Sequence, residues 1–371
     1  MKKTFYDVLK ETYSWLSTPE CSIGFNEINH KRLRELTFDE FINNRDFCAD
    51  FIRNVLNLND ESRMARFNRG RLTHIIITWL LGVALNRTFK FENIPGGIAD
   101  VYFDQMWLQT AMAHDYGYLR DELTNRDLTL DMLRRPYDLL SDRYDEPLSF
   151  LNGIRYEGDA GCFFSYDYEE IEKYFLYRKY DLLKNEHEKN DHGIVGGMLA
   201  FRNYCKNVAR DYKNRLGPSH SFGRQQKIAC FIAASHNIFK STYSDNKDQI
   251  YRRYGLTGLL TTSPIRVRKE NTLLTLLSLV DTIECTKRFS AKENPKSYIQ
   301  EATVLKHIEL EILDGSIIVD FRKLDYFIKS VKKNKEMIEV LAWHVKNVND
   351  LDTWTEFKTR PISDLSMEIF M

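Results

Sequence analysis

The sequence predicts a mainly α-helical protein with a small C-terminal α+β appendage that contains a β-hairpin. Apolar residues recur at spacings of three and four over most of the chain. Helix breakers are few, with 8 prolines and 17 glycines in 371 residues. Near the C-terminus the apolar period changes from helical to two. Taken in order, the helical spacing predicts helices over 28–58, 66–85, 102–119, 194–216, 224–242, 269–287 and 324–345. Asn93-Ile94-Pro95-Gly96-Gly97 and Leu216-Gly217-Pro218-Ser219 supply two of the breaks between them. Ile308, Leu310 and Ile312 alternate with Glu309 and Glu311, Asp314-Gly315 supplies a turn pair, and Ile317-Ile318-Val319 follows, which is a hairpin pattern.

Organisation follows from these elements. An N-terminal helical extension over 1–64 precedes a helical body over 65–290, and the polar join Ser290-Ala291-Lys292-Glu293-Asn294-Pro295-Lys296 leads into the appendage over 291–371. No internal repeat or low-complexity tract interrupts this plan. A composition 43% hydrophobic and 13% aromatic can fill a sizeable core, which excludes wholesale disorder. The longest apolar run, Ile75 to Leu85, is about half of what a spanning helix needs, so it is expected in a core and no membrane partner is expected. Met1-Lys2-Lys3-Thr4-Phe5-Tyr6-Asp7 leads into no apolar signal region, and a cytoplasmic location is expected. Six cysteines without a C-x-x-C pair argue against a disulfide framework or a zinc ribbon.

With 53 cations against 53 anions, the chain as a whole offers no basic coat for nucleic acid. The balance conceals an uneven distribution. Residues 121–190 hold 17 Asp/Glu against 10 Lys/Arg, and residues 201–270 hold 4 against 14. The second stretch is either a phosphate-facing wall or a set of solvated helix faces.

Chemistry concentrates where polar residues interrupt apolar helices. His74 lies in Leu72-Thr73-His74-Ile75-Ile76-Ile77, His114-Asp115 ends the segment that starts at Trp107, and His236 follows Ile232-Ala233-Ala234-Ser235. Asp281 is the sharpest case, set in Leu276-Leu277-Ser278-Leu279-Val280-Asp281-Thr282-Ile283. A carboxylate there is costly unless it is neutral, paired or bound to metal. One cation site would answer all four demands, because imidazole nitrogen and carboxylate oxygen are ligands that divalent metals accept.

The ordered series His74, His114-Asp115, His192, His236, Asp281 resembles the HD-domain metal-dependent phosphohydrolase superfamily. Ala113-His114-Asp115-Tyr116-Gly117 looks like that family's doublet, and Asp191-His192-Gly193-Ile194-Val195-Gly196-Gly197 looks like its histidine before a Gly-rich helix start. Ala234-Ser235-His236-Asn237 and Leu279-Val280-Asp281-Thr282-Ile283 look like the later histidine and the closing aspartate. The likeness covers roughly 65–290, with long insertions between His74 and His114 and between Asp115 and His192. It departs at Tyr118, where many relatives that cut cyclic dinucleotides carry a lysine, so a phosphate-binding cation either comes from elsewhere, with Arg71, Arg120, Arg224 and Lys227 available by sequence neighbourhood, or is absent.

The resemblance implies an HD-domain-like helical bundle and a metal centre of two divalent ions, with Mn, Fe, Ni, Zn or Mg as the identities in play. The first ion would take His74, His114, Asp115 and Asp281. The second would take His192 and His236 and share Asp115, the residue expected to be catalytic. Two such ions activate a water for in-line attack on phosphorus. The expected activity is hydrolysis of a nucleotide or other phosphoester. The alternatives are an HD-type nuclease on single-stranded DNA or RNA, and a non-catalytic nucleotide sensor with a structural metal centre. Tyr204, Tyr212, Tyr243, Tyr251 and Tyr254 interleave with the cations of the basic stretch, as the nuclease would need. His30, His187, His220, His307 and His344 are expected to be surface or packing residues.

Overall fold

The computed structural model describes residues 2–18, 21, 31, 33–56, 69–89, 103–118, 192–193, 196–197, 200, 229–230, 232–233, 236, 272–289, 299–313, 316–331, 335–355 and 366–370. The elements in chain order are β1 (Lys3–Thr4), α1 (Phe5–Leu16), α2 (Phe38–Asn43), α3 (Arg45–Val55), α4 (Arg69–Phe89), α5 (Phe103–Ala113) and α6 (Thr272–Ile283). A short 3-10 turn (Thr286–Phe289), α7 (Glu301–Lys306), β2 (Glu309–Leu313), β3 (Ser316–Asp320), α8 (Arg322–Ser330), α9 (Lys335–Thr355) and β4 (Ser366–Phe370) complete the order. The described part is thus mainly helical with one small sheet. The helices expected over 194–216 and 224–242 lie largely outside the described residues, as do the turn pair Asp314-Gly315 and nearly all of the acidic and basic stretches.

Local chemistry explains where the helices start. Thr4 accepts a hydrogen bond from the backbone N–H of Asp7 and caps α1. Thr37 and Glu40 form a reciprocal capping box at the head of α2. Asn44 then ends α2 in an extended conformation and caps α3 through Phe47 N–H at 3.0 Å. The single helix expected over 28–58 is therefore broken twice, at Thr37 and at Asn44, residues whose side chains compete with the helix ladder and prefer a cap. The helix expected over 324–345 is likewise two, because Val331 is extended after α8 and α9 begins at Lys335.

The core is organised around α4, 21 residues long and apolar on all sides. Every residue from Leu72 to Asn86 is buried. Gly70–Phe89 has the length and apolarity to cross a membrane, yet 83% of its most apolar window is buried within the protein. α1, α3, α5, α6 and the 3-10 turn all pack on α4, which satisfies a helix with no polar face. Its closest neighbour is α5. The Trp107 ring lies against Gly82, where a Cβ would fall 2.0 Å from it, and the indole N–H of Trp107 donates to the carbonyl of Trp79 at 2.9 Å. A glycine one turn from a tryptophan thus lets two helices approach and satisfies a buried donor at the contact.

The sheet runs β1-β2-β3-β4. β2 and β3 pair antiparallel in the predicted hairpin, with Leu310 opposite Val319 and Leu313 opposite Ser316. Leu310, Ile317 and Val319 are buried, as period-two alternation requires of an inward face. The N-terminal strand β1 adds antiparallel to β2, and β4 adds parallel to β3. Helix α9 packs against α6 and the 3-10 turn and places buried His344 near the end of α6.

Candidate metal centre

All six sequence-predicted site residues converge at one place. His74 comes from the middle of α4, His114 and Asp115 from the turn that ends α5, and Asp281 from the last turn of α6. His192 and His236 complete the set from the far side. They fall into two triads, His74/His114/Asp281 and Asp115/His192/His236, and within each triad the possible ligand atoms lie within 4.8 Å of one another.

The turn after α5 is built by close backbone contact. A Cβ on Gly117 would lie 1.9 Å from the carbonyl oxygen of His192, and one on Gly196 would lie 2.7 Å from the carbonyl oxygen of Ala113. Only glycine lets these backbones meet, and the meeting brings His192 Nε2 to 3.3 Å from Asp115 Oδ1.

Each buried imidazole is held by its outer nitrogen, so that the inner nitrogen faces the centre. His114 Nδ1 is 2.7 Å from the carbonyl oxygen of Ala111, and His236 Nδ1 is 2.6 Å from that of Ala233. A carbonyl can only accept, so Nδ1 is the donor in both rings and Nε2 is the atom turned toward the centre. His74 Nδ1 is paired instead with the buried carboxylate of Glu284. That carboxylate also accepts from the backbone N–H of Thr286 at 2.6 Å and from its hydroxyl. A carboxylate or carbonyl behind each of these three histidines is the arrangement that orients metal-ligating imidazoles.

The inner atoms face one another. His74 Nε2 lies 3.0 Å from Asp281 Oδ1, 3.3 Å from His114 Nε2 and 3.4 Å from Asp115 Oδ2. His114 Nε2 is 3.6 Å from both Asp115 Oδ1 and Asp281 Oδ1. The His114 and His236 rings stand edge to face at 5.2 Å, as do those of His192 and His236. Asp115 Oδ1 and His236 Nε2 are buried without a hydrogen-bond partner among the described residues. Unpaired buried acceptors are costly, and a cation between them would relieve both. The donor set, four imidazoles and two carboxylates, is one that divalent metals accept, and these buried groups can hold a metal ion.

Charge within the site is consistent with that use except at His74, where burial and Lys287 press downward but Glu284 and Asp281 outweigh them and raise it above the ordinary histidine value. Burial alone would push the Asp115 carboxyl up, but Lys287 and His114 outweigh it and hold it well below the usual carboxylate range. Asp281 behaves in the same way, again with Lys287 as the leading favourable charge. His236 is pushed down to about 3 by burial and then by His192 and His114, which leaves its ring neutral. A neutral imidazole and an ionised carboxylate are the forms that ligate.

Four residues around the ligands fill roles that the sequence pattern left open. Arg71, one turn before His74 on α4, reaches Asp115 Oδ2 at 3.4 Å and lies over the Tyr118 ring at 3.2 Å. Tyr118 stacks in turn on His192 with ring centroids 3.8 Å apart. Tyr118 thus seats an arginine beside the centre. Arg120, Arg224 and Lys227 lie outside the described residues. Glu284 and Lys287, which the sequence reading did not pick out, belong to the centre as well. Their one signal was spacing, since they follow Asp281 at three and six residues in a segment that otherwise reads as core.

Comparison of the chain with protein-family models, with curated proteins and with solved structures finds no match.

Proposed function

We propose that this chain is a metal-dependent phosphohydrolase of the HD type that hydrolyses a phosphoester of a nucleotide. The observation that carries the reading is the pair of triads meeting at the adjacent residues His114 and Asp115, with carbonyls holding Nδ1 of His114 and of His236 so that Nε2 of each ring faces the centre. His74, His114 and Asp281 would hold one divalent cation and Asp115, His192 and His236 another, with Mn, Fe, Ni, Zn or Mg as the candidates. Bound there, divalent cations would activate a water and stabilise the negative charge that builds on phosphoryl oxygens.

The chain's own residues supply the rest. Asp115 is buried and ionised at the junction of the triads, the place from which one carboxylate can serve both. Arg71 is positioned to orient a phosphate next to Asp115, and its planar fork suits phosphate oxygens. The Tyr118 phenol is pushed up by burial and by Asp115, so it stays neutral and provides a stacking surface.

The test is elemental analysis of protein purified without chelator, followed by hydrolysis of a panel of nucleotides and short single-stranded oligonucleotides under Mn, Fe, Ni, Zn and Mg. Metal-dependent release of product that disappears in Asp115→Ala supports the proposal. Cleavage of oligonucleotides alone would make the enzyme a nuclease. Binding of nucleotides without turnover under any metal would make the protein a sensor and overturn the enzymatic reading.

A further inference from the structure

The two triads are not equivalent, because they differ in how closely a positive charge of the protein's own engages them. Lys287 is 8% exposed, and its Nζ lies 2.9 Å from His74 Nε2 and 2.9 Å from Asp281 Oδ1. Those are two of the three ligand atoms of the first triad. An ammonium group and a divalent cation would compete for the same lone pairs, and two positive charges at such separation repel strongly in a buried site. In the second triad the protein's own cation is Arg71, which reaches a single oxygen, Asp115 Oδ2, at 3.4 Å, and His236 Nε2 has no hydrogen-bond partner among the described residues.

The placement of Lys287 is built into the fold. The 3-10 turn over Thr286–Phe289 follows α6 directly and packs on α4, so the chain that delivers Asp281 returns Lys287 to the same spot. Glu284, between them in sequence, fixes the opposite side of the His74 ring. Asp281 and His74 therefore receive a charged hydrogen-bond donor from their own chain, and such a donor is among the stronger polar partners available.

We propose that Lys287 is an internal cation that fills the His74/His114/Asp281 position, so that the chain holds one metal ion tightly at Asp115/His192/His236 and admits a second only by displacing the lysine. This rests on the metal-centre reading above and adds an order of occupancy to it. The displacement breaks two charge-assisted hydrogen bonds, which separates the two affinities by about 100-fold.

The experiment is titration of chelator-stripped full-length protein with Mn(II) alone, followed by elemental analysis and electron paramagnetic resonance. The wild-type chain is expected to take one tight equivalent with a mononuclear spectrum, and the second at least about 100-fold more weakly. His236→Ala should remove the tight equivalent. In Lys287→Met the second equivalent should tighten by about 100-fold and give an exchange-coupled dinuclear spectrum. Wild-type chain that takes two equivalents with similar affinity would overturn the inference and leave the metal centre standing. A tight equivalent that survives His236→Ala would do the same. No binding by either the wild type or Lys287→Met would overturn both. Should Lys287→Met fail to fold, acetylation of Lys287 in the wild type, read by peptide mass spectrometry, decides the matter. It should stay at background with one equivalent and rise when the second is forced on, and an unchanged level would refute the displacement.

Discussion

Gly117→Ala is the most direct perturbation of the way this centre is assembled. The added methyl would sit 1.9 Å from the carbonyl oxygen of His192 and 2.8 Å from the backbone nitrogen of Gly196, both on backbone rather than on flexible side chains. Ordinary contact would require a separation of about 1.5 Å more from that oxygen. The segment bearing His192 must then move away from the turn bearing Asp115, and the His192 Nε2 to Asp115 Oδ1 distance of 3.3 Å opens accordingly. Overpacking of this kind costs about 1–3 kcal/mol of stability. A misplacement of about 1 Å in a site costs on the order of 100-fold in function. Thermal unfolding and Mn(II) affinity of the two proteins, measured side by side, check both consequences. Gly117→Ala that melts with the wild type and binds metal equally well would refute the idea that this backbone contact sets the geometry of the second triad.

Three further outcomes follow from the same contacts. Asp115→Asn keeps the shape of the side chain but removes the charge at the junction of the triads, so metal content should fall by at least about tenfold and turnover with it, as elemental analysis and product release would report. Glu284→Gln leaves α6 intact and weakens the hold on His74 Nδ1, with an expected loss of about 10–100-fold in metal affinity by competition with a chelating dye. His344 is pushed down to about 3 by burial and then by Arg288, so the folded chain keeps it neutral where the unfolded chain would protonate it. Its contribution to stability is fully present above the ordinary histidine value of about 6.5 and is lost as the pH falls from there towards 3, at up to about 1.4 kcal/mol per pH unit. Chemical denaturation of wild type and His344→Phe between those limits should show the shallower decline in the variant.

The helical plan was legible because its signals are local and redundant. Leu72 to Leu85 and Phe103 to Ala113 read as helices from their apolar spacing, and the hairpin from strict alternation around a turn pair. The break at Asn44 was harder to read, since helical spacing continues across it and only a cap marks the stop. The pairing of Lys3 and Thr4 with β2 was beyond reach, because a two-residue strand has no period. It joins segments more than 300 residues apart.

The ligand set and its governors differ in legibility for a physical reason. Each ligand is a polar residue in an apolar context, and that conflict is visible in one dimension: His74 and Asp281 stand out because nothing near them in sequence could pay for their burial. Glu284 and Lys287 raise no such conflict, since a charged residue just after a helix looks like an ordinary end of a segment. Their burial comes from α4 and α9 closing over the turn, a tertiary fact. Yet they decide what the ligands do. Glu284 fixes which nitrogen of His74 faces inward, and Lys287 supplies the charge that holds Asp115 and Asp281 ionised without any metal. A chain that carries its own cation in the centre can keep its two carboxylates buried and ionised whether or not a metal is bound, whereas a centre lacking it would have to protonate those carboxylates or open. The stability of Lys287→Met without metal should accordingly fall further than that of the wild type when both are stripped with chelator, and equal melting of the stripped proteins would remove this role from the lysine.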